Sequence, residues 1–586
     1  MKGTRRELSG IGVCDNIGIG SAVVIREEKP VYDRKSRLTP TEEKDRISQA
    51  WRAYQDQLTR MIGHARKNFS EVEADILEGQ LILARDSSLS TQALEFISDG
   101  ATAEYAVEKV CKKYIGSFME SGDFLLREKA SDIRDIMTGM LVMIAGEGHI
   151  PLMDISDGSV IIGKELSPSF FSALYNKQIS GIVTERGGVS GHAALIARSL
   201  HIPAVFSVPG IMRAVKNGDE IIVNGKEGSV FINPDDADRE QTGKKLEELR
   251  SERERLLKYR DLSTMTADGV PCKVMSNIGT LDEGMEATVS GCEGIGLFRT
   301  EFFFQQSFEE PSEDEQYEVY RSVVAGMRDR DVAIRTLDIG GDKLLPYLAM
   351  SGRGRAVREK NPFLGLRGIR QSLANRENFM KQIRAILRAA VHGSVSMMLP
   401  LVTNLSELDE TKKLIRQAAE ELAAEGKPFR DDIPLGVMVE TPSASLIARD
   451  IARNCDYISI GTNDLIQYVM CAERDNPGVE YLSSVFEPAV LRSIHSVIEA
   501  GHAEGIPVGI CGEAGQEKKL IPLLLAWGID AFSTNNSSVV SVRSEIARWT
   551  KKEAQEIAAP VLAMSTRREI EEHLDLYFGN GEKIRN

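Results

Sequence analysis

The chain of 586 residues is 42% hydrophobic and 27% charged, and its formal net charge is -15. This composition predicts a globular protein of roughly three to four domains with large cores, and the acidic total argues against a nucleic-acid partner. No run of about 18 apolar residues predicts a membrane span, no signal peptide is recognisable, and seven scattered cysteines without CxxC pairs indicate the cytoplasm rather than a disulfide framework or a zinc site.

The N-terminal part of the chain changes from strand to helix near residue 39. Residues 8–27 are rich in apolar residues and glycines and predict short strands, which end before Pro30. Apolar residues then recur at spacings of 4, 3, 4 and 3, on one face of an amphipathic helix: Ile47, Trp51, Tyr54, Leu58 and Met61. Further helices are predicted around residues 70–86, 90–98, 102–120 and 124–146. Residues 33–146 are therefore expected to form a helical bundle.

Strand patterns return after the bundle, at residues 158–164, and continue to residues 219–234. We expect the two strand-rich pieces, residues 1–32 and 147–235, to form one α/β domain that the bundle interrupts. A separate N-terminal domain is the alternative. The densely charged residues 236–262 predict an exposed linker helix.

A candidate nucleophile lies in the second strand-rich piece, within residues 181–206, GIVTERGGVSGHAALIARSLHIPAVF. A short apolar strand is followed by a turn at Gly187 and Gly188, and His192 then opens an apolar helix. Glycines let the backbone approach a ligand closely, and a helix N-terminus suits a phosphoryl group. We interpret His192 as a nucleophile that carries phosphate on an imidazole nitrogen. The alternative is a glycine turn followed by a helix-capping histidine.

Eight short apolar runs follow the linker and alternate with helical segments: CKVMSNI, GIGLFRTE, VAIRTLDIGG, SVSMMLPLV, LGVMVETP, YISIGTNDL, PVGICGE and DAFSTN. Eight such units in about 320 residues are the number and size of a (β/α)8 barrel, which we assign to residues 263–586. Arg299, Glu440, Asp464 and Cys511 each lie where a run gives way to a loop. Such barrels keep their active sites at this face.

Two of these side chains are carboxylates on neighbouring runs. Glu440 and Asp464 provide hard oxygen ligands, and two carboxylates together with substrate oxygens and water are how proteins usually hold Mg²⁺. Cys511, at the end of the seventh run, is interpreted as a proton donor or a nucleophile. An ordinary core cysteine is the alternative.

Cationic side chains complete the predicted site. Arg299 and Arg335 come from the second and third runs, and Lys343 follows the third. A guanidinium group binds phosphate or carboxylate through two hydrogen bonds, and Asn463 and Arg474 could add contacts from the sixth unit. Cations, a divalent metal and an acid together predict a small phosphorylated carboxylate as substrate.

Nine motifs occur along the chain in the order of one family: GIGVCDNIGIGSAV, LREKASDIRDI, GGVSGHAALIARSLHIPAV, GCEGIGLFRTEFFF, RTLDIGGDK, NPFLGLRGIR, GVMVETP, SIGTNDLIQY and GICGE. Over nearly its whole length the chain resembles the enzyme I family of the bacterial phosphoenolpyruvate-dependent sugar phosphotransferase system. The dikinases and synthases that use phosphoenolpyruvate share the phosphohistidine domain and the barrel, but they carry a large ATP-binding domain for which this chain has no room.

The resemblance implies a multidomain α/β protein: a swivelling phosphohistidine domain with an inserted helical bundle, a linker helix and a C-terminal TIM barrel. It implies that phosphoenolpyruvate and Mg²⁺ bind in the barrel, with the metal on Glu440 and Asp464. The positions that match substrate-binding residues of the family are Arg299, Arg335, Lys343, Arg367, Asn463 and Arg474. His192 matches the phosphorylated histidine, which passes its phosphoryl group to the carrier HPr on the helical bundle, and Cys511 matches the residue that protonates the enolate to pyruvate. A cytoplasmic homodimer formed through the barrel is also implied.

The chain departs from the family at several positions around these groups. Gly191 and Val189 replace a hydroxyl residue and an arginine that usually precede the histidine, and residues 81–90, LILARDSSLS, replace an acidic stretch that meets HPr. These departures leave open a diverged paralogue that serves a different carrier. Two further hypotheses are a dikinase-like enzyme with its nucleotide bound elsewhere and a regulatory protein that only binds phosphoenolpyruvate. The complete metal and nucleophile set favours the transferase.

Overall fold

The computed structural model divides the chain into two compact units, Met1–Arg250 and Ser251–Asn586. The described residues are 4–14, 16–25, 32–68, 79–85, 87–120, 124–145, 155–166, 177–187, 194, 197, 202–307, 310–340, 360–474, 476 and 478–578. Within them no helix is both long enough and apolar enough to cross a membrane. The domain boundaries proposed above are finer than this division and stay a prediction.

The N-terminal unit is built on one eight-stranded sheet with the order β1-β8-β7-β3-β4-β5-β6-β2. Its strands are β1 Arg6–Ser9, β2 Ile11–Gly12, β3 Ile17–Ile25, β4 Ser159–Gly163, β5 Gly181–Thr184, β6 Ala204–Phe206, β7 Glu220–Asn224 and β8 Ser229–Ile232. The sheet joins β1–β3, before the bundle, to β4–β8 after it. The alternative of a separate N-terminal domain is therefore wrong.

The centre of this sheet is parallel, and both of its faces are covered. The pairs β3–β4, β4–β5 and β5–β6 are parallel. Every residue of β4, β5 and β6 is buried. Successive side chains of a strand point to opposite faces, so Val160 and Ile162 pack in one apolar cluster and Ile161 in another. Continuous apolar runs are the sequence pattern of such two-sided burial.

The bundle inserted between β3 and β4 consists of α1 Pro40–Asn68, α2 Ser87–Ser98, α3 Ala103–Glu120 and α4 Phe124–Ala145. Residues 79–85 are also helical, whereas residues 70–78 of the predicted second helix lie outside the described part. The predicted apolar face of α1 is confirmed, because Ile47, Trp51, Tyr54 and Leu58 are buried in the bundle core and Met61 packs against it partly buried.

A single helical turn, α5 Ile211–Ala214, lies between β6 and β7. The charged segment after the sheet forms the long helix α6 Asp236–Leu257. The helix ends five residues before the predicted end at residue 262, and residues 258–261 form turns. Arg5 anchors its N-terminal part through two hydrogen bonds to Asp238, of 2.7 and 2.8 Å.

The C-terminal unit contains the predicted closed barrel of eight parallel strands. They are β9 Lys273–Ile278, β10 Gly294–Arg299, β11 Asp331–Arg335, β12 Val395–Leu399, β13 Leu435–Val439, β14 Tyr457–Gly461, β15 Val508–Cys511 and β16 Ala531–Thr534. Each strand corresponds to one of the eight apolar runs. Leu297, Ala333, Met398, Met438 and Cys511 form an apolar cluster together with the partly buried Tyr457.

Helices separate the barrel strands. They are α7 Leu281–Val289, α8 Glu301–Gln306, α9 Glu313–Met327, α10 Ile369–Ala374, α11 Arg376–Ala389, α12 Leu405–Glu425, α13 Pro442–Leu446, α14 Ala448–Ala452, α15 Thr462–Val469, α16 Pro488–Ala503, α17 Ile521–Trp527, α18 Val539–Ile546, α19 Lys551–Ala558 and α20 Arg567–Phe578. Short helices α8, α13 and α15 begin within three residues of a strand end. They bring the side chains around each strand end to the same face of the barrel.

Candidate active site

A cavity of about 290 Å³ opens at the carboxyl ends of the barrel strands. All but two of the predicted site residues line it, namely Arg299, Arg335, Arg367, Glu440, Asn463, Asp464, Arg474 and Cys511. The other two, His192 and Lys343, lie outside the described residues, as does Gly188 of the predicted turn before His192. The structure therefore brings the barrel residues together, while their individual roles stay predictions.

Glu440 follows β13 directly and is held from two sides. Its side chain is 1% exposed, and the backbone N–H of Leu401 donates a hydrogen bond of 2.7 Å to Oε1. Leu401 has a positive φ of 54°, an uncommon conformation for leucine. On the neighbouring strand a Cβ at Gly461 would lie 2.6 Å from Oε2, so only glycine leaves room for the carboxyl group there. Burial, with Asp464 and Asp338 nearby, raises the pKa of Glu440 above its usual range.

Asp464 lies on the first turn of α15, three residues beyond the end of β14. Arg367 donates from Nη1 to Oδ1 at 3.0 Å and from Nη2 to Oδ2 at 3.2 Å. Nη2 of Arg474 lies 3.4 Å from Oδ1. Both carboxylate oxygens therefore face cationic side chains.

Arg335 is buried, and it keeps one donor for a ligand. Its Nη2 pairs with Glu301 and lies 3.4 Å from Oδ2 of Asp338, and its Nη1 lies 3.5 Å from the sulfur of Met438. Its Nε is buried without a hydrogen-bond partner among the described residues. The Arg299 guanidinium also finds no acceptor in the described part of the chain. An anion in the cavity could accept from both arginines, and for the Arg335 Nε it would remove the cost of a buried donor without a partner.

The donor set fits a hard divalent cation. Among the described residues no three His, Cys, Asp or Glu side chains are grouped so as to hold a metal ion by themselves. Two carboxylates, Glu440 and Asp464, reach the same cavity from adjacent strands. Mg²⁺ usually takes one or two protein carboxylates and fills its other positions with water and phosphate oxygens.

Cys511 ends β15, lines the cavity and belongs to the apolar cluster of the barrel interior. It is 2% exposed, and its Sγ donates to the carbonyl oxygen of Ile460 at 3.5 Å. Burial raises the pKa of the Cys511 thiol to about 11, and so the group keeps its proton at neutral pH. Of the two predicted roles, this protonation state favours the proton donor over the thiolate nucleophile.

The chain turns away directly after the cysteine at Gly512, which has a φ of 100°. A Cβ there would lie 2.5 Å from Oγ1 of Thr462, and this oxygen is fixed by its hydrogen bond of 3.0 Å to the carbonyl of Cys511. Glycine is thus required both by the backbone angle and by the close approach of α15.

Sequence reasoning missed two acidic residues of the site, Glu301 and Asp338. Both are 1% exposed, both line the cavity, and both pair with Arg335. A signal was present, because Glu301 lies two residues after β10 and Asp338 three residues after β11. The strand-end rule that identified Glu440 and Asp464 would also have included them.

The fold and the cavity together define a class of protein. Guanidinium donors, two carboxylates suited to a divalent cation and a protonated thiol meet at the carboxyl end of a parallel barrel. This arrangement belongs to barrel enzymes that act on a small phosphorylated carboxylate with the help of a metal ion.

Comparison with known proteins narrows the class. Three family models match the chain: the N-terminal domain of phosphoenolpyruvate-utilising enzymes at residues 9–129, their mobile domain at 155–228 and their phosphoenolpyruvate-binding domain at 253–551. Phosphoenolpyruvate-protein phosphotransferase of Staphylococcus epidermidis is 37% identical over 96% of this chain and 98% of its own. The protein of the same name from Bacillus subtilis is 36% identical over the same shares. The chain belongs to the phosphoenolpyruvate-protein phosphotransferase family, whose members use a metal ion.

A solution NMR structure of an Enzyme I protein resembles part of the chain. It is 30% identical, and the match covers 42% of this chain and 99% of that one, with a TM-score of 0.37. The overall structural similarity is low, so the family assignment rests on the sequence comparisons.

Proposed function

We propose that the chain transfers the phosphoryl group of phosphoenolpyruvate to His192, releases pyruvate, and passes the phosphoryl group to a histidine of HPr or an HPr-like carrier. This is the first step of the sugar phosphotransferase system. The observation that supports the proposal is the meeting of arginine donors, two acidic side chains and the Cys511 thiol in one cavity. These are the groups that a phosphorylated enol acid and its product require.

The chemistry follows from where each group lies. Arg299 and Arg335 supply donors to the phosphate and carboxylate oxygens of the substrate, and Asn463 and Arg474 lie at the same opening. Mg²⁺ bound by Glu440 and Asp464 would neutralise the charge of the phosphoryl oxygens.

During the transfer the bond between the enol oxygen and phosphorus breaks, and a bond from phosphorus to an imidazole nitrogen of His192 forms. The remaining enolate takes a proton at its methylene carbon from the Cys511 thiol and becomes pyruvate. A thiol whose pKa is about 11 holds its proton until such a base appears.

The proposal also covers the domain assignment, the oligomeric state and the cellular location of the protein. We assign residues 1–32 and 147–235 to the phosphohistidine domain, 33–146 to carrier binding, 236–262 to the linker and 263–586 to substrate binding. We further propose a homodimer formed through the barrel and a Mg²⁺-dependent reaction in the cytoplasm. The mobile-domain match, residues 155–228, lies within one of these segments, whereas the match at 9–129 crosses the boundary between sheet and bundle and the match at 253–551 begins within the linker.

The test is incubation with labelled phosphoenolpyruvate, Mg²⁺ and candidate carriers from the same cell. Label is expected first on this chain and then on one carrier, with one pyruvate released for each phosphoryl group transferred. Label from ATP instead of phosphoenolpyruvate, or binding of phosphoenolpyruvate without label, would contradict the proposal.

In residues 81–90, which replace the acidic stretch of the family, Leu81 and Leu89 are both buried in the bundle core, because helical spacing turns them inward. Ile82 is 48% exposed, and Arg85 is exposed beside it. Asp86, the one acidic residue of the segment, lies outside the described residues.

We therefore expect HPr from a distant bacterium to be a poor acceptor and the cognate carrier to have a less basic docking face. At about 0.2–1 kcal/mol for each lost exposed ion pair, several pairs together lower the affinity roughly tenfold to a hundredfold. Arg85→Glu is expected to speed transfer to the distant HPr, whereas Arg416→Glu, the same charge change on exposed barrel helix α12, is not. The rate of phosphoryl transfer to each carrier, measured for each variant at two salt concentrations, tests these expectations. Equal rates with both carriers, each falling steeply with salt, would show that strong electrostatic docking persists.

A further inference from the structure

Asp338 lies between the two buried arginines of the cavity. It is 1% exposed and follows β11 by three residues. Arg367 donates to it from Nε and from Nη2, both at 3.1 Å, and Arg335 approaches its Oδ2 at 3.4 Å. Asp338 is therefore the carboxylate that contacts both guanidinium groups, in addition to the separate pairs of Arg335 with Glu301 and of Arg367 with Asp464.

Arg367 also engages the second carboxylate, Asp464. Its Nη1 and Nη2 reach the two oxygens of Asp464, and Nη1 lies 3.2 Å from the hydroxyl of Tyr468. That hydroxyl donates onward to the carbonyl of Phe363 at 2.6 Å. In this arrangement the guanidinium occupies both oxygens through which Asp464 would bind a metal ion.

We propose that Asp338 is a positioning residue that retains Arg367 at the cavity while Arg367 exchanges Asp464 for a substrate oxygen, and that this exchange frees Asp464 for the divalent cation. The inference rests on the proposed function, which assigns Asp464 to the metal and Arg367 to the substrate. A buried guanidinium without an anionic partner is strongly unfavourable. With Asp338 in place, Arg367 can leave Asp464 and still keep one carboxylate.

The exchange couples the two ligands through residues of this chain. A substrate anion competes with Asp464 for Arg367, and a metal ion competes with Arg367 for Asp464. Each ligand therefore makes room for the other, and by linkage the effect is reciprocal. Without Asp338, Arg367 would have Asp464 as its one carboxylate partner among the contacts described above and would hold it more tightly.

Two substitutions test the exchange, because they shift metal affinity in opposite directions. The experiment is calorimetry of Mn²⁺ binding without substrate, in a His192→Ala background chosen to prevent phosphoryl transfer. Arg367→Gln is expected to tighten Mn²⁺ binding about tenfold, since Asp464 loses its competitor, and Asp338→Asn to weaken it severalfold. Both changes are expected to weaken binding of phosphoenolpyruvate. A residue that merely supports the fold would weaken both ligands in both variants.

Matched controls separate the exchange from general effects. Arg335→Gln also removes one buried positive charge, but within the described part of the chain Arg335 pairs with Glu301 and Asp338 and not with Asp464. It should therefore tighten Mn²⁺ binding less than Arg367→Gln. Asp331→Asn, at the other end of β11, where Asp331 pairs with Lys273 and Ser394, should leave both affinities unchanged. Thermal unfolding of each variant identifies any that fails to fold, and Arg367→Gln tests the exchange even if Asp338→Asn does not fold.

The outcomes distinguish this inference from the proposed function. If Asp464→Asn removes Mn²⁺ binding while Arg367→Gln weakens it or leaves it unchanged, the exchange is overturned and the metal assignment stands. Arg335→Gln tightening Mn²⁺ binding as much as Arg367→Gln would also overturn the exchange, because charge alone would then explain it. If Asp464→Asn leaves Mn²⁺ binding intact, the metal assignment and the exchange both fail.

Discussion

Replacing His192 with alanine is expected to abolish the label that phosphoenolpyruvate leaves on the chain. A phosphorus–nitrogen bond on imidazole is lost in mild acid and survives alkali, so the wild-type label should show this pattern. The barrel residues are untouched by the change, because His192 belongs to the N-terminal unit. Binding of phosphoenolpyruvate with Mg²⁺ should therefore persist in the variant, as calorimetry can show.

The chain offers a matched control among its eight histidines. His502 lies on α16, and its Nε2 is 3.0 Å from Oδ2 of Asp530, outside the cavity. His502→Ala should keep full acid-labile label. Persistent label in His192→Ala would place the phosphorylated residue elsewhere and remove the central claim about the N-terminal unit.

Removal of either proposed metal ligand is expected to cut phosphoryl transfer by at least about a hundredfold. Glu440→Gln and Asp464→Asn each keep the shape of the side chain but remove one negative oxygen ligand from a cation that dehydrates reluctantly. The midpoint of thermal unfolding should change little for Glu440→Gln, since the Leu401 N–H can still donate to the remaining carbonyl oxygen. Initial labelling rates as a function of Mg²⁺ concentration measure the effect.

Glu293→Gln is the control for this pair. Glu293 accepts hydrogen bonds from Thr264 and Val274 before β10 begins, at the end of the barrel opposite the cavity. Its substitution should leave the Mg²⁺ dependence of labelling unchanged. Near-normal labelling by both Glu440→Gln and Asp464→Asn would show that the metal binds elsewhere.

The partner surface shows where sequence reasoning reached its limit. The acidic stretch of the family could be compared residue by residue with 81–90, but a helix places only some positions on its outer face. Leu81 and Leu89 turned out to be core residues, and Ile82 is exposed. Which side of a short helix is covered depends on the helices packed against it, and these come from distant parts of the chain.

The sequence alone determined the local elements and their class. Spacings of 3 and 4 identified the buried face of α1, and eight apolar runs with helices between them identified the barrel, because periodic burial is written into neighbouring residues. The positions of four residues at the ends of predicted strands also placed them at the carboxyl-terminal face of the barrel: Arg299, Glu440, Asp464 and Cys511.

Only the tertiary structure decided how the charges of the site pair. Asp464 and Arg367 are 97 residues apart, and Asp338 and Arg367 are 29 apart, yet one guanidinium joins both carboxylates. No spacing rule predicts such a contact, because it depends on which loops converge above the barrel and on burial that makes each unpaired charge costly. Strand ends could have located Glu301 and Asp338 at this face, but that both pair with Arg335 became visible only in the tertiary structure.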